Sequence, residues 1–374
     1  MGKHALLSAS SSARWLNCPP SARLGEGFPD KGSEYAQEGT DAHALCEYKL
    51  KTLLGMDAAD PTENLDSYNA EMEECADNYA AYVLELLASA KETCPDPVVL
   101  VEQRVDFSRC VENGFGTADC IVIADGTMNV VDYKHGKGVE VSAENNPQMM
   151  LYALGALEIF DCIYDIDEVQ MTIFQPRLGN ISVCGMSKAA LLEWANGELK
   201  ERAKLAYEGG GEYACGEWCR FCRAKAVCRK RAEENLKMAR YDFAPADTLD
   251  ETEIAAILDH ADELASWVTD VKEYALSQTL RGVRYPGYKV VEGRSARKHS
   301  NDELAASVVS GAGFDPYARK ILGITEMQKL LGKEKFNELL SGLIVKPQGK
   351  PVLVPESDKR KPMNTADNDF KEEN

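Results

Sequence analysis

An α/β fold, with a mixed sheet core flanked by helices, is predicted for the first two thirds of this chain, followed by a mainly helical C-terminal region. Three observations carry that prediction. Residues 98–107, 120–124, 128–133 and 168–175 are rich in Val and Ile and bounded by turn formers, as strands are. Longer segments with helical apolar spacing alternate with them. From about residue 240 the pattern changes, and helix-capping signals dominate. A length of 374 residues suits two domains. The boundaries read as a first domain over 1–235, a mainly α domain over 240–350 and a polar, disordered tail over 355–374.

The elements follow in order. A helix begins near Gly39-Thr40, with Thr40 as cap and Gly55 as stop. Ala42, Leu45, Cys46, Leu50 and Leu53 trace its packed side, with Lys49 the odd member. A helical connection spans 64–91 and leads into the first strand. Asp125-Gly126, the dipeptide that most favours a two-residue type I′ turn, joins the next two strands. Asn146 then caps a helix with Pro147 in its first position. Met149, Met150, Leu151 and Leu154 supply its buried side, and Gln175-Pro176-Arg177 closes the last strand. In the second half, Thr248-x-x-Glu251 is a capping box, with periodicity running to about Arg281. Ser300-x-x-Glu303, Asp315-Pro316 and Thr325-x-x-Gln328 mark further helix starts. Residues 288–298 read as a strand leading into a basic turn.

The hairpin fixes a candidate site. With 125 and 126 as the loop, Asp119 falls opposite Asp132, and facing Cβ atoms in such a pair stand about 4.5–5.5 Å apart. Strand side chains alternate, so Lys134 joins Asp132 on one face. Two carboxylates that close repel unless a cation lies between them. Mg²⁺ or Mn²⁺, which prefer oxygen ligands, suit the place. Gln148 and Tyr152, four apart on a helix, share a face. His43 and Glu47 form a similar pair on the earlier helix. No Ser-His-Asp or Cys-His arrangement competes among the five His residues.

Twelve cysteines give a second line. No secretory signal is read at the start and no apolar run is long enough to span a bilayer, so the chain reads as cytoplasmic, without a membrane partner. Disulfides are rare there, and clustered Cys suggests metal. Cys215, Cys219, Cys222 and Cys228 together form a compact zinc-knuckle pattern. Alternatively, Cys219-x2-Cys222-x5-Cys228 take a distant fourth ligand, for which Cys18 in Arg14-Trp15-Leu16-Asn17-Cys18-Pro19 is well placed. Local sequence leaves Zn²⁺ and an iron–sulfur cluster both open.

A net charge of −19 is unfavourable for a polyanionic partner as an average. Arg220, Arg223, Lys225, Arg229, Lys230 and Arg231, however, gather in one stretch and could hold a DNA strand by its phosphates. Trp15, Trp218 and Phe221 are candidate stacking residues, with packing around the cysteines their preferred role.

Gly39-Thr40-x-x-His43-x-x-x-Glu47, Gly116-Thr117-Ala118-Asp119, Asp132-Tyr133-Lys134 and Gln148-x-x-x-Tyr152 resemble, in order and spacing, the motifs of RecB-type nucleases of the PD-(D/E)XK superfamily. The likeness covers roughly residues 8–235, with Ala118-Asp119 in place of the usual Pro-Asp. It implies a restriction-endonuclease-like core. It also implies that His43, Asp119, Asp132 and the carbonyl of Tyr133 bind metal, that Lys134 orients the attacking water, and that Gln148 and Tyr152 support the site. The pattern of Cys18 with Cys219, Cys222 and Cys228 resembles the iron-staple nucleases, namely CRISPR-associated RecB-type exonucleases and AddB-like nuclease domains. There such residues bind a [4Fe–4S] cluster, and Cys215 does not belong to the pattern. The C-terminal half resembles that of phage-encoded proteins of unassigned function.

The expectation is a Mg²⁺- or Mn²⁺-dependent deoxyribonuclease acting on DNA ends or single strands in phage replication or recombination, in a bacterial cytoplasm. A single-strand-binding or replication protein is its possible partner. A non-catalytic protein on a nuclease fold and a zinc-bound interaction module are the alternatives.

Overall fold

Val98–Asp106 (β1), Phe115–Ala124 (β2), Thr127–Tyr133 (β3), Glu168–Gln175 (β4) and Asn180–Ser187 (β5) form one mixed sheet in the order β1-β2-β3-β4-β5 in the computed structural model. Only β3 and β4 run parallel. That pair needs a crossover, which is supplied by the helix Pro147–Tyr164. The structure describes residues 5–29, 32, 34–237, 251–292, 299–317 and 321–345.

The helices are Ser12–Asn17 (α1), Ser21–Glu26 (α2), Glu34–Leu53 (α3), Ala70–Thr93 (α4), Pro147–Tyr164 (α5), Lys188–Trp194 (α6), Lys200–Glu208 (α7), Arg229–Lys237 (α8), Glu251–Leu280 (α9), Asp302–Gly311 (α10), Ile324–Leu331 (α11) and Lys333–Leu340 (α12). Two apolar cores cover the two sheet faces. One packs α5 and the N-terminal segment, with Trp15, Ile121, Val130 and Met149 fully buried. The other packs α3 and α4, with Leu45, Tyr79, Val122 and Tyr133 buried. Gly155 lets α5 approach β1, since a Cβ there would lie 2.9 Å from that of Val105. No helix among the described residues is long and apolar enough to cross a membrane.

The hairpin has the expected register, from Ala124 opposite Thr127 to Cys120 opposite Val131. Its turn is not type I′, because Gly126 takes φ +75° whereas Asp125 is not at positive φ. Asn146 caps α5 as expected, its side chain accepting from the N–H groups of Gln148 and Met149. Thr40 does not cap α3. The helix already runs from Glu34, and the Thr40 hydroxyl donates back to the Ala36 carbonyl at 3.0 Å. Lys49 stays on the packed side by pairing with Glu73 and Asp77 of α4. Strand β5 was not predicted. Its exposure alternates along its length, and it follows Gly179 in the left-handed region.

The chain divides into two compact units, Met1–Ser277 and Gln278–Asn374. The division falls later than residue 240 because most of α9 is tied to the first unit. Arg231, fully buried, bonds Glu263 and Asp270 on that helix. Within the second unit, α10 to α12 confirm helices near two of the expected starts. Residues 288–292 are not a strand, and 315–317 are not helical. The basic turn at 293–298, Thr248 and the tail over 355–374 lie outside the described residues.

Candidate metal centre

Strands β2 and β3 part company at the site. Their last paired rung is Cys120 opposite Val131. One step further, where Asp119 and Asp132 were expected to face each other, Asp119 Oδ2 instead accepts the Tyr133 N–H at 2.7 Å. A side chain thus takes a position that a closed ladder would give to a carbonyl. The other strand of the motif also bends here. Glu102, which lies between the rungs Val101–Cys120 and Gln103–Ala118, takes φ +53°. Val99 and Val101 before it pack on the α3/α4 core, whereas Val105 after it packs on the α5 core. β2 switches likewise, with Ala118 in one core and Cys120 in the other. Glu102 and Asp119 sit where both strands change face, and a left-handed glutamate is the kind of local strain that functional sites retain.

From α3, His43 presents Nδ1 to Asp119 Oδ1 at 3.4 Å, with its ring edge-on to Tyr133 at 5.5 Å. Ligand atoms of His43, Glu102 and Asp119 all lie within 4.8 Å of one another. Glu102 is the residue sequence reasoning missed; its signal was a lone acid inside the valine-rich first strand. Glu47 pairs with Lys51 instead of joining the group.

Asp132 stands beside this triad and is held from the other side. Gln148 Nε2 donates to Asp132 Oδ1 at 2.9 Å and to the Tyr152 hydroxyl at 3.2 Å. Lys134 Nζ lies 2.7 Å from Asp132 Oδ2 and donates to Gln148 Oε1 at 3.2 Å. Although close to the ammonium, Asp132 Oδ2 is buried without a hydrogen bond of good geometry. Tyr152 reaches the site by lying over Gly116. Any Cβ there would meet its ring at 2.7 Å, which gives the glycine of the Gly-Thr-Ala-Asp segment its steric reason.

Charge follows this geometry. Burial pushes the Asp119 carboxyl up, but the adjacent His43 and Lys134 outweigh it and hold it below the usual range. Burial, offset only in part by Lys134, raises Asp132. Burial and then Asp119 push Glu102 up to about 7. His43 is lowered by burial but raised more by Asp119, reaching about 9. Two of the three crowded carboxylates, Glu102 and Asp132, are raised in this way, as buried acids short of compensating positive charge are. Two carboxylates and an imidazole whose ligand atoms lie within 4.8 Å of one another, next to the buried Asp132 carboxylate, suit a divalent cation.

Arg177 is not available to a phosphate. It is inserted between Glu38 of α3 at 3.0 Å and Glu71 of α4 at 2.8 Å, and also reaches the His135 carbonyl. That pairing locks α3, and with it His43, to the chain just after Lys134. His135 itself is buried, its Nδ1 bonded to the Tyr133 hydroxyl at 2.7 Å.

Cys18, at the end of α1, lines one small cavity with Cys219, Cys222 and Cys228, together with Arg14, Lys225 and Arg231. Cys215 lines a separate cavity of about 810 Å³ beside His260 and Glu263. Among the described residues, no three cysteine sulfurs lie within 4.8 Å of one another. The basic stretch is partly consumed internally. Lys225 pairs with Asp270, Lys230 with Glu234, and Arg231 with Glu263 and Asp270. Trp15 is fully buried, its indole donating to the Ser8 carbonyl, and Trp218 donates to the Ala214 carbonyl. Phe221 departs from the expected packing role: it is 73% exposed.

The fold and site together define an α/β protein with an acid–histidine cluster and a Lys–Asp pair at the opening of its central hairpin. The chain belongs to the family described as "Protein of unknown function (DUF2800)", whose model matches residues 4–361. It is also similar to a solved structure titled "Crystal structure of SSO0001", at 14% identity over 50% of this chain and 94% of that one. The TM-score of 0.22 is too low to bear on fold or activity.

Proposed function

We propose that the chain is a metal-dependent DNA nuclease of the RecB type within the PD-(D/E)XK superfamily, an exonuclease acting on DNA ends or single strands. The observation that carries this reading is the convergence of His43, Glu102 and Asp119 beside the Asp132–Lys134 pair. Mg²⁺ or Mn²⁺, when bound, would supply a water of lowered pKa and offset charge building on the phosphate. His43, Glu102, Asp119 and Asp132 would hold it, with the Tyr133 carbonyl nearby. Lys134 brings a compact positive charge to the same place and orients the water. Gln148 fixes Asp132 and Lys134 relative to each other, and Tyr152 braces Gln148. Work on viral DNA during replication or recombination, in a bacterial cytoplasm and beside a single-strand-binding or replication protein, fits that activity.

The reading extends to the cysteines, with Cys18, Cys219, Cys222 and Cys228 as the ligands of a [4Fe–4S] cluster. Cys18, Cys219, Cys222 and Cys228 line one small cavity, which supports a group shared by these four thiols. Arg14 lines the same cavity, while Lys225 and Arg231 there are paired with Asp270 and Glu263.

The test is incubation of end-labelled single- and double-stranded DNA with the purified protein, with and without Mn²⁺. Cleavage should require the metal and fall by at least about 100-fold in Asp132→Ala and Lys134→Ala. Metal-dependent cleavage that survives unchanged in both variants would remove this site from the reaction. No cleavage by the parent protein would favour a non-catalytic role on the same fold.

A further inference from the structure

We infer that Phe221 is a base-stacking residue and that the turn carrying it is a binding surface for single-stranded DNA. The inference rests on the nuclease reading for the class of polymer, and on the turn's own features for the mode of binding. Large aromatic side chains are normally buried, and the other two candidate stackers are taken up by the fold. Trp15 is fully buried, and the Trp218 indole lies over Gly216, where a Cβ would meet it at 2.5 Å. Phe221 alone of the three projects, at 73% exposed.

Its backbone is nevertheless held firmly. The residue ends the short 3₁₀ segment Glu217–Phe221, between the inward-facing Cys219 and Cys222. The Cys222 N–H donates to the Cys219 carbonyl at 3.0 Å, and Arg14 Nη1 donates to the Phe221 carbonyl at 3.2 Å. A fixed backbone under an exposed ring is a preorganised platform, because little further order is needed when a base settles on it. Arg220 precedes the ring in sequence and brings a positive charge to the same turn, to which a phosphate of the stacked strand can pair. Lys225, Lys230 and Arg231 are taken up by ion pairs, so the charge this turn offers a polyanion is that of Arg220 beside the ring. The turn also packs on α1, which packs on α5, the helix of Gln148 and Tyr152.

A single strand offers open base faces, and a duplex does not. Stacking on an aromatic ring contributes about 1–3 kcal/mol per base. The test is fluorescence anisotropy with the full-length protein, in Ca²⁺ to separate binding from cleavage. Labelled dT20, an abasic strand of the same length and a 20-base-pair duplex are the probes. Phe221→Ala should weaken dT20 binding by about 10-fold, leave abasic binding unchanged and preserve the salt slope. Phe221→Trp should restore affinity, and Arg220→Gln should reduce the salt slope for both single strands. Iron content and melting temperature establish that each variant keeps its fold, and Phe221→Leu replaces the alanine variant if that one does not. Equal dT20 affinity in the parent and the aromatic-free variant, or an equal loss on the abasic strand, overturns the proposal. So does a parent protein that prefers duplex or binds no DNA, the latter pointing to a protein partner for the ring. A protein that binds through Phe221 yet never cleaves would refute the nuclease reading and leave this one standing.

Discussion

Asp119 Oδ2 accepts the main-chain N–H of Tyr133 at 2.7 Å, one step past the last paired rung of the hairpin that bears both residues. The carboxylate is therefore a structural substitute for a strand neighbour as well as the metal donor proposed above. Its second oxygen is left to face His43. Removing the side chain should cost stability as well as function. Asp119→Ala strands a buried N–H and should destabilise the metal-free protein by about 1–3 kcal/mol. Asp119→Asn keeps an acceptor and should retain most of that stability while losing Mn²⁺ affinity. Urea denaturation and Mn²⁺ titration of the two variants separate the roles; equal stability in both would deny the structural one.

Glu102 pits fold against function. Its left-handed backbone and its proximity to Asp119 both oppose folding. Replacing it with glycine relieves a conformation that costs about 1–2 kcal/mol for other residues. Glu102→Gly should therefore melt no lower than the parent without metal, yet bind Mn²⁺ more weakly. Lower stability with unchanged Mn²⁺ affinity would contradict this assignment.

The pH dependence of the metal-free protein has a definite sign. His43 is raised to about 9 and Glu102 to about 7. Groups whose folded pKa lies above the unfolded one stabilise at low pH and lose that contribution as pH rises through the folded value. From the ordinary carboxylate value of 4.5 up to about 9, stability should thus fall as first Glu102 and then His43 lose their protons. Melting temperatures across that range, with His43→Gln as control, measure it. Saturating Mn²⁺ should flatten the decline, because deprotonated ligands bind it. A His43→Gln protein with the parent's slope above pH 7 would rule out His43 as its source.

The cysteines separate a staple from a knuckle. Anaerobically purified protein should be brown, and Cys18→Ala should lose colour, iron and much of its stability. That cross-link closes a loop of about two hundred residues, and restraining so long a loop acts mainly on the unfolded chain. Cys215→Ala should keep the cluster, although its thiol touches that of Cys219. Colourless, zinc-loaded Cys18→Ala of unchanged melting temperature would defeat the staple.

Arg177 should behave as an internal strut. Arg177→Met strips the counter-charge from Glu38 and Glu71 and should destabilise by about 2 kcal/mol, less than a fully buried pair because Glu71 is half exposed. The salt dependence of DNA binding should not change. A reduced slope in a stable Arg177→Met protein would instead place Arg177 on a phosphate-binding surface.

Local chemistry made much of this protein legible in its sequence. Asn146-Pro147 announces α5 because a side-chain acceptor and a fixed φ act within one turn, and Asp125-Gly126 sets the hairpin register by the same short-range logic. Strand alternation puts Asp132 with Lys134 and helical spacing puts Gln148 with Tyr152, while the resemblance to RecB-type motifs joins the two pairs with Asp119. What required tertiary structure was every relationship between elements distant in sequence. Glu102 joins the site only because β1 and β2 change face together, a distortion that no periodicity in either strand reveals. Nothing local to Arg177 shows that Glu38 and Glu71, from two other helices, enclose it. Thr40 looked like a helix start until the helix was found to begin at Glu34. The exposure of Phe221 is of the same kind. A sequence gives a ring its hydrophobicity, but only the packing of the turn against α1 decides which aromatic is buried and which faces water.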